Sequence, residues 1–94
     1  MYDLRIETRV LKERGRYRPK DFTQIARRIF SLSIDPRPPD SKKIGVGLRV
    51  DSGEYRILYT VDDSDRLVTV LLVGSRNDDE VYKTARRMGL MENS

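Results

Sequence analysis

Between Ile44 and Val73 the chain carries three β-rich segments, Ile44 to Val50, Glu54 to Val61 and Arg66 to Val73, separated only by Asp51-Ser52-Gly53 and Asp62-Asp63-Ser64-Asp65. Connections this short leave room for hairpins and nothing else, because a parallel return needs a crossover of about a dozen residues or more. Asp, Ser and Gly are also the residues that turn backbones favour. The three strands are therefore expected to form an antiparallel meander. In a chain of 94 residues that meander takes up so much of the length that residues 1–94 are expected to form a single domain around one modest core.

Upstream of the meander, Tyr2, Leu4 and Ile6 alternate with Asp3, Arg5 and Glu7, a period of two that predicts an opening strand with one buried face. The basic stretch Thr8 to Arg18 has only Val10 and Leu11 as apolar anchors and reads as a short helix or a loop. Pro19 then stands where a helix can begin, and Phe22, Ile25, Ala26, Ile29 and Phe30 recur at helical steps, predicting a helix from about Lys20 to Leu32. Asp35-Pro36-Arg37-Pro38-Pro39-Asp40 cannot continue it, since proline fixes φ and lacks a donor. After the meander, Asp79 is placed to N-cap a last helix running to about Met88, with Gly89 as its C′ residue. The order β-α-(α)-β-β-β-α predicts an α+β fold: a small antiparallel-rich sheet with helices packed on one face.

Composition removes several kinds of chemistry. The chain has no cysteine and no histidine, so disulfides, thiolate metal sites, zinc chemistry and a histidine relay are excluded. No metal and no other cofactor is expected. No stretch approaches the roughly 20 apolar residues of a membrane span, and the N-terminus lacks the apolar core of a signal peptide. A soluble, cytoplasmic protein without a membrane partner is the expectation. The net charge of +4 conceals an asymmetry: residues 1–50 hold 13 basic and 6 acidic side chains, residues 51–94 hold 6 basic and 9 acidic. A first half at +7 suits nucleic acid or an acidic protein partner.

Strand parity groups the arginines. If Val50 faces Tyr55 across the first turn and Val61 faces Leu67 across the second, Arg56 falls opposite Arg49 on one side and Leu72 on the other. Arg49, Arg56 and Arg76 then share one face, while Tyr55, Ile57, Tyr59 and Val61 point to the core. Like charges directly opposed destabilise a sheet, so such a cluster asks for an anion, and a phosphate suits it. Taken singly, Lys42 and Lys43 read as solvated side chains, and Tyr82 as an aromatic that staples a helix to the core. Together with the arginines they define a candidate phosphate site.

These segments, in this order, resemble the RelE-type toxins of the RelE/ParE toxin–antitoxin superfamily. The likeness is carried by the opening strand, Asp-Pro-Arg-Pro-Pro-Asp-Ser-Lys-Lys, Gly-Glu-Tyr-Arg-Ile-Leu-Tyr, and Val-Gly-Ser-Arg followed by Glu-Val-Tyr. The resemblance implies a ribosome-dependent mRNA endonuclease that inhibits translation, with the ribosome and mRNA as partners and an acidic, RelB-like antitoxin to silence it. It also implies that Arg56, Arg76 and Tyr82 are catalytic, and that Arg49, with Lys42 and Lys43, binds RNA. Arginine suits a phosphorane because its planar fork grips phosphate and keeps its charge. The chain departs from the family pattern at Gly47, a position often basic, at Ser75, where relatives carry His or Lys, and at Asn77-Asp78-Asp79, where they add positive charge. Two other readings follow from the same fold: a ParE-like toxin acting on DNA gyrase, and a non-catalytic or decayed interaction module.

Overall fold

The computed structural model describes residues 1–76 and 80–89. In chain order these form β1 (Asp3–Ile6), α1 (Thr8–Lys12), a 3-10 turn (Arg14–Arg16), α2 (Pro19–Ile34), β2 (Lys42–Ile44), β3 (Gly47–Ser52), β4 (Tyr55–Asp62), β5 (Leu67–Ser75) and α3 (Glu80–Arg87). The five strands make one sheet in the order β1-β5-β4-β3-β2. β2 to β5 are antiparallel neighbours, and β1 alone runs parallel, beside β5. The α+β class and the meander are thus as expected. The segment expected as one strand from Ile44 to Val50 is two, because Gly45 adopts φ 56° and turns the chain between β2 and β3.

The helices follow from local chemistry. Pro19 opens α2 at a position whose N–H would be orphaned anyway, and Asp21 places a carboxylate in the first turn, where the helix dipole favours it. The helix ends at Ile34 because Asp35 precedes Pro36, and a residue before proline is pushed out of the helical region; Asp35 sits at φ −132°, ψ 93°. Ile25, Ile29 and Leu32 face inward, whereas Phe22 and Phe30, expected on the apolar stripe, are exposed. The basic stretch after β1 resolves into α1 and the 3-10 turn. The expected N-cap at Asp79 lies outside the described residues. Gly89, at φ 75°, follows α3 as the C′ residue its position suggested.

The helical layer formed by α1 and α2 covers one face of the sheet. Its core joins Ile25, Ile29 and Leu32 to Val50, Ile57, Tyr59, Val68, Val70 and Val73, with Leu4, Ile6, Tyr17 and Tyr55 at the margin. Tyr59 is fully buried, and its hydroxyl donates to the Pro36 carbonyl at 2.7 Å, tying the proline loop over the core. On the other side of the sheet, a smaller cluster of Leu58, Leu71 and Leu72 packs against Val81 and Ala85 of α3. Gly74 makes this possible: a Cβ there would stand 2.2 Å from Val81 Cγ2.

The register differs from expectation in a way that preserves the arginine face. The first hairpin closes through two residues, Gly53 and Glu54, with Ser52 opposite Tyr55, because Gly53 takes φ 59° at the position a type II′ turn reserves for glycine. Val50 therefore faces Ile57 and not Tyr55, and Arg56 faces Asp51 and not Arg49. At the second turn Val61 faces Val68, one step from the expected Leu67. A bulge on β5 then adds a further step, so Leu58 meets Leu72 and Arg56 meets Gly74. Each net displacement at Arg56 is even, and side-chain parity survives it.

Candidate functional site

The site lies on the face of the sheet that α3 partly covers. Lys42 of β2 pairs with Arg49 of β3, Arg49 with Leu58 of β4, and Asp51 with Arg56 of β4, so cross-strand pairing puts Lys42, Arg49, Asp51 and Arg56 on one side. Arg56 is the centre. Its side chain is only 16% exposed, its Nε donates to Asp51 Oδ1 at 3.0 Å, and its Nη1 donates to the Tyr82 hydroxyl. The guanidinium carbon lies 5.3 Å from the Tyr82 ring centroid, within reach of a cation–π attraction. Arg49 approaches the same Asp51 oxygen at 3.8 Å. Burial acts to lower the Arg56 pKa, but the hydrogen bond and charge of Asp51, with Tyr82, outweigh it and leave the pKa raised. The guanidinium is held charged as well as held in place.

A guanidinium offers five N–H donors. Two of those on Arg56 serve Asp51 and Tyr82, and among the described residues no hydrogen bond takes the others, which can meet an anion. The anion that opposed arginines seemed to ask for is in part supplied by the protein itself, as Asp51. Sequence reasoning missed Asp51 because the expected register set Arg49 in its place; its signal was its position two residues after Arg49, which puts it on the same face.

The other expected site residues divide. Tyr82 is brought to Arg56 because Val81 and Ala85 seat α3 on the sheet. Arg76 stands just beyond β5, exposed, with its N–H on the Glu54 carbonyl at 2.8 Å and Nη1 on the Gly53 carbonyl at 3.4 Å. It therefore lies at the hairpin end of the site. Lys42 shares the arginine face, whereas Lys43 pairs with Leu48 on the opposite side and lines a shallow hollow with Arg37, Val46 and Val61. At Gly47 a Cβ would lie 2.7 Å from the Tyr59 carbonyl oxygen, so the backbone leaves no space there for a basic side chain. Beside the site, where β1 has ended, a groove of about 420 Å³ runs between α1 and α3, lined by Arg9, Tyr17, Tyr55, Gly74 and Val81 among others.

No family model matches this sequence, and no curated protein matches it. Solved structures do match. The isolated E. coli RelE toxin aligns over 96% of this chain and 100% of its own, at 26% identity and a TM-score of 0.69. A free E. coli RelE variant with two arginines replaced by alanine aligns over 93% of this chain and 96% of its own, at 27% identity and a TM-score of 0.73. The toxin–antitoxin complex RelBE2 from Mycobacterium tuberculosis aligns over 80% of this chain and 98% of the matched one, at 25% identity and a TM-score of 0.71. The meander, the parallel first strand and the third helix thus give a small α+β domain with the fold of these toxins. The chain is similar in fold and in sequence to the RelE-type toxins.

Proposed function

We propose that the chain is the toxin of a toxin–antitoxin pair and that it stops translation by cutting mRNA bound to the ribosome, in the cytoplasm and without a metal ion. The observation that carries this reading is Arg56: a charged, largely covered guanidinium, fixed by Asp51 and Tyr82, with donors that no other described residue engages and that suit one more anionic group. Cutting RNA through its own 2′-hydroxyl needs the hydroxyl deprotonated, the dianionic phosphorane stabilised and the leaving 5′-oxygen protonated. Arg56 takes the phosphorane. Arg76, at the hairpin end, stabilises charge near the leaving oxygen, and Tyr82 transfers a proton or stacks on a splayed base. Arg49 and Lys42 grip neighbouring phosphates; Lys43, on the opposite face, is not needed for this. A site with so little chemistry of its own relies on the ribosome to orient the message, which supplies the entropic part of the acceleration.

The likeness to RelE structures solved with RelB antitoxins supports a RelB-like partner for this chain. An acidic antitoxin suits the basic first half, with contacts from Arg5 to Arg49, and it silences the site by burying or displacing α3. Reversing several charges among Arg9, Lys12, Arg14 and Arg16 should weaken co-purification and flatten its dependence on salt; wild-type co-purification that is insensitive to salt, or binding that survives the reversal, speaks against this surface.

The function is tested by primer extension on a defined mRNA in a translation extract. Discrete cuts in ribosome-bound message, absent with free message, are the expected result. Growth arrest that tracks DNA damage while mRNA stays intact favours the gyrase reading. Ribosome binding with neither outcome favours the non-catalytic one.

A further inference from the structure

We propose that Asp51 is the general base of the site, taking the proton from the attacking 2′-hydroxyl; this rests on the nuclease reading above and names the residue that reading leaves open. With no histidine and no cysteine in the chain, the base must come from the carboxylates, lysines or tyrosines. Among the described residues, contact or cross-strand pairing on this face joins to Arg56 the side chains of Lys42 of β2, Arg49 and Asp51 of β3, and Tyr82 of α3; Asp3 of β1 and Asp62 of β4 share the face, but both pair with Leu67, far along the strands from the Arg56–Gly74 pair. Arginine does not give up its proton in proteins, and lysine and tyrosine as residue types carry theirs at neutral pH, whereas aspartate is a type that arrives there with its proton already gone. Among the side chains joined to Arg56, Asp51 is the one carboxylate.

Its geometry fits the task. The 2′-oxygen and the scissile phosphate belong to the same nucleotide and must come within bonding distance of each other, so the base and the phosphate-binding arginine have to be immediate neighbours. Asp51 Oδ1 is 3.0 Å from Arg56 Nε. That bond and the approach of Arg49 at 3.8 Å both fall on Oδ1, which orients the carboxylate and leaves Oδ2 without a hydrogen bond among the described residues. At 35% exposed, the Asp51 side chain is open enough to meet a substrate.

In the reaction, Oδ2 takes the 2′-hydroxyl proton as the 2′-oxygen bonds to phosphorus. The phosphorus–5′-oxygen bond then breaks. Tyr82, whose oxygen accepts from Arg56 Nη1 and whose O–H donates to no other described residue, protonates the departing 5′-oxygen. The products are a 2′,3′-cyclic phosphate and a 5′-hydroxyl, and water restores the proton to Tyr82 and removes it from Asp51. Arg56 serves both ends of the transfer: Nε aligns the base and the outer nitrogens meet the charge that builds on phosphate.

The test is single-turnover cleavage of ribosome-bound mRNA at saturating protein, with ribosome binding measured alongside. Asp51→Asn keeps the oxygen that accepts from Arg56 Nε, so Arg56 stays in place and only basicity is removed. We expect cleavage to fall by about 100-fold or more, the usual size of a lost general base, with ribosome binding undiminished. Asp51→Ala should cut slowly and be accelerated several-fold by added formate, which a purely positioning role does not allow. Asp51→Asn cleaving within about 3-fold of wild type, or an Asp51→Ala protein that formate leaves unchanged, overturns the assignment while the nuclease reading stands. A wild-type protein that leaves ribosome-bound message intact overturns both.

Discussion

Replacing Gly74 by alanine disturbs a close contact through which α3 is seated to deliver Tyr82. The added Cβ would stand 2.2 Å from Val81 Cγ2, against about 3.5–4.0 Å for ordinary carbon contacts. Val81 would have to withdraw by more than 1 Å, by roughly the difference between those two distances. Overpacking of this kind costs about 1–3 kcal/mol. What holds α3 down is of the same size: Val81 is 5% exposed and Ala85 fully buried, and burying a valine and one further methyl contributes about 2–3 kcal/mol. Gly74 itself is locked into the β4–β5 ladder opposite Arg56, so the helix should yield before the sheet does. In Gly74→Ala, amide hydrogen exchange across residues 81–87 should lose its protection while β4 and β5 keep theirs, and mRNA cleavage should fall with the contact between Arg56 and Tyr82. Gly74→Ala combined with Val81→Ala removes the clashing Cγ2 and leaves Val81 Cβ at 3.6 Å, an ordinary contact. Protection of α3 and cleavage should partly return. Full α3 protection in the single variant, or a double variant no better than the single, refutes the reasoning.

Other perturbations separate structure from chemistry. Arg56→Ala should cut cleavage by at least about 100-fold, as for loss of one preorganised donor, with a near-normal thermal melt. Tyr82→Phe keeps the ring beside Arg56 but removes the hydroxyl; a defect close to that of Arg56→Ala assigns Tyr82 to proton transfer, and a mild one to stacking. Ile57→Ala and Val70→Ala, both at fully buried positions, should lose roughly 1–4 kcal/mol in urea unfolding through cavity formation. The Asp63 carboxyl is held below its usual range by hydrogen bonds from Arg37 and Tyr2, and Asp40 likewise by Arg28. A carboxyl with a folded pKa below its unfolded value, near about 4, adds stability that is present above that value and lost as pH falls through the folded one. Stability should therefore decline below about pH 5, and Asp63→Asn with Asp40→Asn should flatten that decline, read as urea midpoints across a pH series.

Much of this protein was determined along the chain itself. Alternation at Tyr2, Leu4 and Ile6, the helical spacing of Ile25 and Ile29, and the proline break at Pro36 depend on neighbours a few residues away, and each element formed where its pattern lay. The shared face of Arg49 and Arg56 is equally local, since strand side chains alternate whatever the register. Register was not local. Which residue opposes Arg56 depends on how tightly Gly53 turns and on a bulge at the Leu58/Tyr59 irregularity, neither of which side-chain alternation records. Only the tertiary structure could put Asp51 beside Arg56, turn Lys43 away from it, split β2 from β3 and close Gly47 against Tyr59. The parallel pairing of β1 with β5 joins residues more than sixty positions apart, and the seating of α3 through Val81 on Gly74 sets a helix against the strand before it. A pattern with a period of two or of 3.6 records which way a side chain points; what it meets is decided by the rest of the chain.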